Sequence, residues 1–195
     1  MKVAVLGGTG SFGKALAARL AAAGQDEIVI GSREAARAEE TARELGGAPV
    51  TGATTADAVR GADLVVLAVK AEAALDTARD VADALGSTPL LSVATAIEFR
   101  KGLGMLPDPD ARSLAERVQD VVDAPVVAGL HSIAASNLGE GAADEDALVC
   151  KDDLEAKELV HALAARVVAG RAVDEGALAS ERALEGATAV IVNVN

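Results

Sequence analysis

Three observations predict an α/β chain, a Rossmann-like doubly wound parallel sheet with a small C-terminal α/β portion. Short apolar runs alternate with Ala-rich helical stretches along the whole sequence. A glycine-rich turn, Gly7-Gly8-Thr9-Gly10-Ser11-Phe12-Gly13, directly follows the first apolar run. Residues 63–69 are almost continuously apolar, as a central parallel strand buried on both faces requires.

Taken in order, Lys2–Leu6 reads as the first strand and Ser11–Ala23 as the first helix, closed by Gly24. Residues 27–30 form a second strand. Residues 34–45, rich in Ala, Glu and Arg, form a helix closed by Gly46 and Gly47. Residues 49–51 read as a short strand and 55–60 as a short helix. Behind the strand at 63–69 come a helix over 72–85, closed by Gly86, and a strand over 89–93. Residues 94–110, with Phe99, two glycines and two prolines, read as irregular and lie where a substrate loop sits, past a strand's carboxyl end. A helix over 111–122 follows, then a strand over 126–130 leading into His131. A strand over 146–150, a helix over 153–168 and an extended stretch over 171–173 come next. Residues 139–146 read as a small acidic solvated loop. The last helix spans 177–192 and ends in the apolar run Ala189-Val190-Ile191-Val192. Right-handed crossovers then put the ligand crevice at the carboxyl ends of the strands. The chain divides into a nucleotide-binding part, 1–123, and a smaller C-terminal portion, 124–195.

Composition narrows the class. Hydrophobic residues make up 51 %, too many for a disordered chain. Aromatics are only 1 %, with no Trp and no Tyr, so platforms for stacking nucleic-acid bases are missing. A net charge of −12 argues further against a nucleic-acid partner. The single cysteine, Cys150, allows no internal disulfide or cysteine-based metal cage and reads as a small buried hydrophobe near a strand end. His131 and His161 are not spaced as a zinc motif, so no metal is expected. No apolar run reaches the ~18 residues of a membrane span. The first residues read as a strand rather than a signal peptide, which gives the expectation of a cytoplasmic protein.

The glycine-rich turn carries chemistry. Gly8, Gly10 and Gly13 match G-x-G-x-x-G, with the first expected to make the tight turn, the second to admit a pyrophosphate and the third to let helix pack on strand. The following helix would aim its N-terminal N–H groups at the phosphates. Strand two ends in Gly31-Ser32-Arg33, with Arg37 one turn on, where an NAD-binding fold carries a carboxylate. A hydroxyl and two guanidiniums suit a 2′-phosphate, so the expected nucleotide is NADP.

At this point the residues resemble a family. The segments Gly7-Gly8-Thr9-Gly10-Ser11-Phe12-Gly13-Lys14, Gly31-Ser32-Arg33, Leu67-Ala68-Val69, Leu130-His131-Ser132-Ile133-Ala134-Ala135, Val149-Cys150-Lys151-Asp152-Asp153 and Glu155-Ala156-Lys157 resemble the F420-dependent NADP reductases, over nearly the whole chain in order. The resemblance implies hydride transfer between NADP and the deazaflavin coenzyme F420. It implies that Thr9, Gly10, Ser11 and Phe12 line the pyrophosphate, that Ser32, Arg33 and Arg37 hold the 2′-phosphate, and that Val69, Leu75, Thr95 and Ala135 border the nicotinamide. His131, Ile133 and Ala134 would flank the deazaflavin, in a cleft that the C-terminal portion completes. Two departures stand out: Lys70 and Ala71 replace a proline and an aromatic, and Ala134 stands where a proline is frequent.

Such a transfer needs no metal and no covalent enzyme intermediate, only two flat rings held at about 3 to 3.5 Å. His131 is the candidate proton partner, or else merely caps a strand end and bonds backbone. Two other readings stay open on the residues alone: an NADP-dependent reductase of another small acceptor (a ferric chelate, imine or ketone), and a non-catalytic NADPH sensor. The missing Tyr excludes the Tyr-Lys chemistry of short-chain dehydrogenases. The apolar end of the last helix gives the expectation of a homodimer.

Overall fold

In the computed structural model, which describes residues 1–24, 26–47, 49–138 and 141–194, apolar alternation places the chain around one large sheet. The elements run β1 (Lys2–Leu6), α1 (Ser11–Ala23), β2 (Glu27–Ser32), α2 (Ala35–Glu44), β3 (Val50–Thr54), α3 (Thr55–Val59), β4 (Leu64–Leu67), α4 (Ala71–Leu85) and β5 (Leu90–Ser92). They continue with β6 (Ile97–Arg100), β7 (Gly104–Pro107), α5 (Leu114–Gln119), β8 (Val126–Gly129), β9 (Ala147–Lys151), α6 (Leu154–Val167), β10 (Ala172–Asp174) and α7 (Glu181–Val194). Two single 3₁₀ turns, Ala135–Leu138 and Leu178–Ser180, precede β9 and α7.

The sheet has eight strands in the order β10-β9-β8-β5-β4-β1-β2-β3. All neighbours are parallel except β8 and β9, which pair antiparallel, with Ala128 opposite Cys150. The fold is thus the expected Rossmann-like one, with the last two strands reversed. The strands at 124–195 extend the same sheet as those before them. The order reverses direction between β1 and β4, and the crevice outside their carboxyl ends is where such sheets bind ligands.

Strand parity divides the core. Val3 and Val5 of β1 join Ile28, Ile30, Leu64 and Val66 on one face, covered by Leu16 and Leu20 of α1 and by Val160 and Leu163 of α6. Ala4 and Leu6 face the other side with Val65, Leu67 and Leu90, under Ala74, Ala78 and Val81 of α4 and Leu114 and Val118 of α5. Just before β2, buried Asp26 accepts Arg166 Nη1 on both carboxylate oxygens at 2.7 Å and the Met1 ammonium at 3.3 Å, which ties α6 to the starts of β1 and β2.

Three sequence expectations change. Residues 94–110 are not irregular: β6 and β7 form a two-stranded antiparallel hairpin, with Phe99 opposite Met105. The helix expected over 111–122 shortens to α5, because Ser113 and Glu116 close a capping box that fixes its start. The last helix begins as a 3₁₀ turn and becomes α-helical only at Glu181. Of the acidic loop at 139–146, Gly139 and Glu140 lie outside the described residues; Asp146 pairs with Arg171 at 2.6 Å.

Candidate active site

The β1–α1 turn is set by sterics. Gly7, rather than Gly8, makes the left-handed turn, at φ +82°. A Cβ at Gly7 would also sit 2.5 Å from the Ala68 carbonyl oxygen. Gly13 lies so close under the loop that a Cβ there would meet the Gly7 carbonyl oxygen at 2.5 Å, which is the expected close packing of helix and strand. Gly10 caps α1 with no side chain bonded to the helix end, and the first turn holds no acidic residue. The N–H groups of Ser11, Phe12 and Gly13 have no intrahelical acceptor, so this end is suited to an anion.

The turn opens onto a cleft of about 520 Å³, lined by Gly7, Thr9, Gly10, Gly31, Ser32, Arg33, Glu34, Arg37 and Thr55, and by Ala68, Val69, Lys70, Glu72, Ala73 and Thr77. Ser32 ends β2 at its rim. Its Oγ accepts a hydrogen bond from the Glu34 N–H at 3.4 Å, which leaves the hydroxyl proton to donate. Arg33 and Arg37 are exposed, and neither pairs with a carboxylate among the described residues. Two unneutralised guanidiniums beside a hydroxyl fit a phosphate group.

A second cavity, of about 260 Å³, is lined by Phe12, Val93, Ala94, Thr95 and Ile97 and shares Ala68, Val69, Lys70 and Glu72 with the first. The lining is mostly apolar, as a ring-stacking site needs. Lys70, which lies between the two cavities, is exposed, its ammonium 3.9 Å from Glu72.

The structure therefore gathers Thr9, Gly10, Ser32, Arg33, Arg37, Phe12, Val69 and Thr95 around one continuous crevice. It places other expected residues elsewhere. Leu75 lies along α4 against the second core cluster and lines neither cavity. Ile133 is buried in the first core cluster, whereas Ala134 is exposed and Ala135 half-buried. His131 does not offer its ring to the crevice: the imidazole is 1 % exposed and its Nε2 lies 2.9 Å from Oε1 of Glu181 on α7. Sequence reasoning missed Thr55 and Thr77, whose only signal is their position just past a strand end or along α4, whereas Lys70, singled out as a departure in the sequence, does stand at the cleft.

Two buried acids went unnoticed as well. Glu181 and Glu185 are fully buried and lie one turn apart on α7. Burial pushes the Glu185 carboxyl above the usual carboxylate range, against backbone hydrogen bonds that pull it down. Cys150 is buried as expected; burial, reinforced by the charge of Glu181, pushes its thiol up to about 12.

Residues 2–96 match the sequence profile described as "NADP oxidoreductase coenzyme F420-dependent". The F420-dependent NADP reductase of Methanothermobacter marburgensis is 35 % identical to this chain, over all of it and 92 % of the relative. The chain belongs to the F420-dependent NADP reductase family. The fold agrees: a solved structure from Arthrobacter sp. FB24, described as a candidate member of this family, superposes with a TM-score of 0.84 at 28 % identity, covering 100 % of this chain and 93 % of that one. A pyrroline-5-carboxylate reductase from Coxiella burnetii superposes at 0.70 with 16 % identity, over 98 % of this chain and 66 % of its own, and shares the fold alone.

Proposed function

We propose that this chain transfers a hydride between NADP(H) and the deazaflavin coenzyme F420. Two features carry the reading: similarity to F420-dependent NADP reductases along the full chain, and a nucleotide-sized cleft that shares a wall with a second, apolar-lined cavity. A different acceptor or a sensor role finds no comparable support.

In this reading the N–H groups of Ser11, Phe12 and Gly13, with Thr9 and the Gly8 to Gly10 backbone, hold the pyrophosphate. Ser32, Arg33 and Arg37 hold the 2′-phosphate. Phe12, Val69 and Thr95 border the nicotinamide. The bound nicotinamide and deazaflavin supply the hydride chemistry; the protein binds them, orients them and keeps water from the gap. Ala134 and Ala135, small residues after His131, leave room for a flat ring. The imidazole of His131 acts from behind this wall rather than as a direct proton partner.

The exposed apolar residues Val190, Val192 and Val194 on α7, with Phe99 and Leu103 on the hairpin it packs against, support a homodimer. No helix among the described residues is long and apolar enough to cross a membrane. The acidic surface supports a protein without a nucleic-acid partner, and the cytoplasm is its proposed compartment.

The test is absorbance at the deazaflavin band with enzyme, F420 and NADPH. The expected result is bleaching as F420 is reduced. NADPH binding without any spectral change at high enzyme concentration overturns the assignment.

A further inference from the structure

Taking a carboxylate out of water is costly unless hydrogen bonds replace its hydration, and for stability alone an apolar residue of similar size serves as well or better. Glu181 and Glu185 of α7 nevertheless have no exposed surface. Among their partners, Ala96 follows β5 between two residues that line the smaller cavity, His131 follows β8, and Leu114 and Ala115 open α5.

Glu185 Oε1 accepts the Ala96 N–H at 3.3 Å and the Leu114 N–H at 3.1 Å. Ala96 directly follows Thr95, which lines the smaller cavity. Its other oxygen faces Arg182 Nη1 at 3.2 Å, and Arg182 Nη2 donates to the Asp108 carbonyl at 2.7 Å, just beyond the hairpin. Glu181 Oε2 accepts the Ala115 N–H at 2.7 Å, while Oε1 lies 2.9 Å from His131 Nε2. Two turns beyond Glu181 along α7, the Thr188 hydroxyl donates to the His131 carbonyl at 3.4 Å.

α7 therefore grips the exits of β5 and β8 together. The second exit is strained. Leu130 is the one non-glycine residue with positive φ among those described, at +66°, and it directly precedes His131. A leucine holds such a conformation only where its surroundings impose it, and such sites gather at functional positions.

We propose that Glu181 and Glu185 are positioning residues for hydride transfer: they fix the segment after β5, which lines the smaller cavity at Thr95, relative to the segment after β8 at residues 131–135, where the family resemblance puts the deazaflavin, and so set the gap in which the two rings meet. The proposal rests on the hydride-transfer reading above. The nucleotide's phosphates are anchored on other elements, the β1–α1 turn and the β2–α2 junction. Disturbing the glutamates should therefore change the rate of transfer and spare NADPH affinity.

The experiment compares Glu181→Ala, Glu185→Ala and the corresponding Gln variants with wild type in kcat, NADPH Kd and amide hydrogen exchange. The Ala variants are expected to lose about 10- to 100-fold in kcat, the scale of a ring misplaced by roughly 1 Å, with NADPH Kd changed by less than about twofold. Gln keeps an acceptor oxygen and is expected to recover most of the rate. Exchange should quicken at residues 94–97 and 131–135 and stay unchanged at residues 7–13. Folded Ala variants with wild-type kcat overturn the proposal, as does an equal loss of kcat and NADPH affinity. Should an Ala variant fail to fold, Glu185→Asp, one methylene shorter, decides in the same way: a lower kcat at unchanged Kd supports the proposal and an unchanged kcat overturns it. If wild type transfers no hydride to F420, the functional reading falls separately, and the exchange pattern still decides whether the two glutamates hold the two walls.

Discussion

At the proposed nucleotide end of the crevice, the groups free to meet an anion are backbone N–H groups and exposed guanidiniums, all within residues 7–37. At the ring end, the walls are held by buried carboxylates whose partners lie far away in the chain, 89 residues apart for Ala96 and Glu185. The first end is local, solvated and built to bind charge. The second is long-range and dry, and fixes where backbone segments sit. On the proposed reading, affinity and geometry come from different parts of the protein, and mutations should separate them.

The largest effect belongs to the glycine turn. Gly13→Val would push a side chain into the Gly7 carbonyl, with even the Cβ at 2.5 Å, and the backbone cannot yield without lifting α1 from the sheet. NADPH binding, followed by nucleotide fluorescence, is expected to fall by more than about 100-fold, with a loss of several kcal/mol in stability. Retained binding would show that α1 does not have to seat on the loop.

Next comes the double variant Arg33→Ala with Arg37→Ala. Two charge-assisted hydrogen bonds at about 1.5–3 kcal/mol each predict a loss of roughly 100-fold or more in NADPH affinity. NADH, which lacks the 2′-phosphate, should be almost unaffected, and added salt should narrow the difference. Equal losses for both nucleotides would break the assignment of this end to the phosphate. The kcat of this variant at saturating NADPH should stay near wild type, the converse of the α7 glutamates.

The smallest effect tests how dry the far end is. The Cys150 thiol in the folded protein is pushed up to about 12, from 9.0 in the unfolded chain, chiefly by burial and then by Glu181. The unfolded chain therefore gives up this proton first. The stability linked to it is complete below about pH 9 and is lost as pH rises toward 12, with a slope approaching ~1.4 kcal/mol per pH unit. Denaturant unfolding at pH 8 and 10.5 should show Cys150→Ala with a flatter pH dependence than wild type. Glu181→Gln should flatten it part-way, because it removes one of the charges that hold the thiol protonated. Identical slopes in all three proteins would mean that water reaches this region.

Much of this was legible in the sequence where the physics is local. Lys2–Leu6 and Ser11–Ala23 have the predicted bounds, because an apolar run, a glycine turn and a closing glycine each act on their neighbours. Ser32, Arg33 and Arg37 could be read together because a strand end and a helix start set them on one rim. The last helix could not be read this way. Its apolar end, read as an oligomer face, is exposed at Val190, Val192 and Val194, but the stripe it buries is Glu181, Glu185, Thr188 and Ala189, which no apolar pattern marks. Those acids are tolerated only because backbone N–H groups at Ala96, Leu114 and Ala115 point at them, and no local pattern announces that. The hairpin at Ile97–Arg100 and Gly104–Pro107 escaped for a related reason: its two strands pair with each other and receive Asn193 of α7 on the Met105 backbone, outside the main sheet.

The alternating α/β order, the glycine turn and the cationic rim follow from steric and electrostatic preferences of residues close in the chain. Which glycine makes the turn, the continuation of the crevice into a second cavity, and the burial of His131 against Glu181 emerge only from packing. Those outcomes depend on how strands order themselves in the sheet and on which distant donors meet a buried charge, and such long-range packing leaves no local mark on the residues it joins.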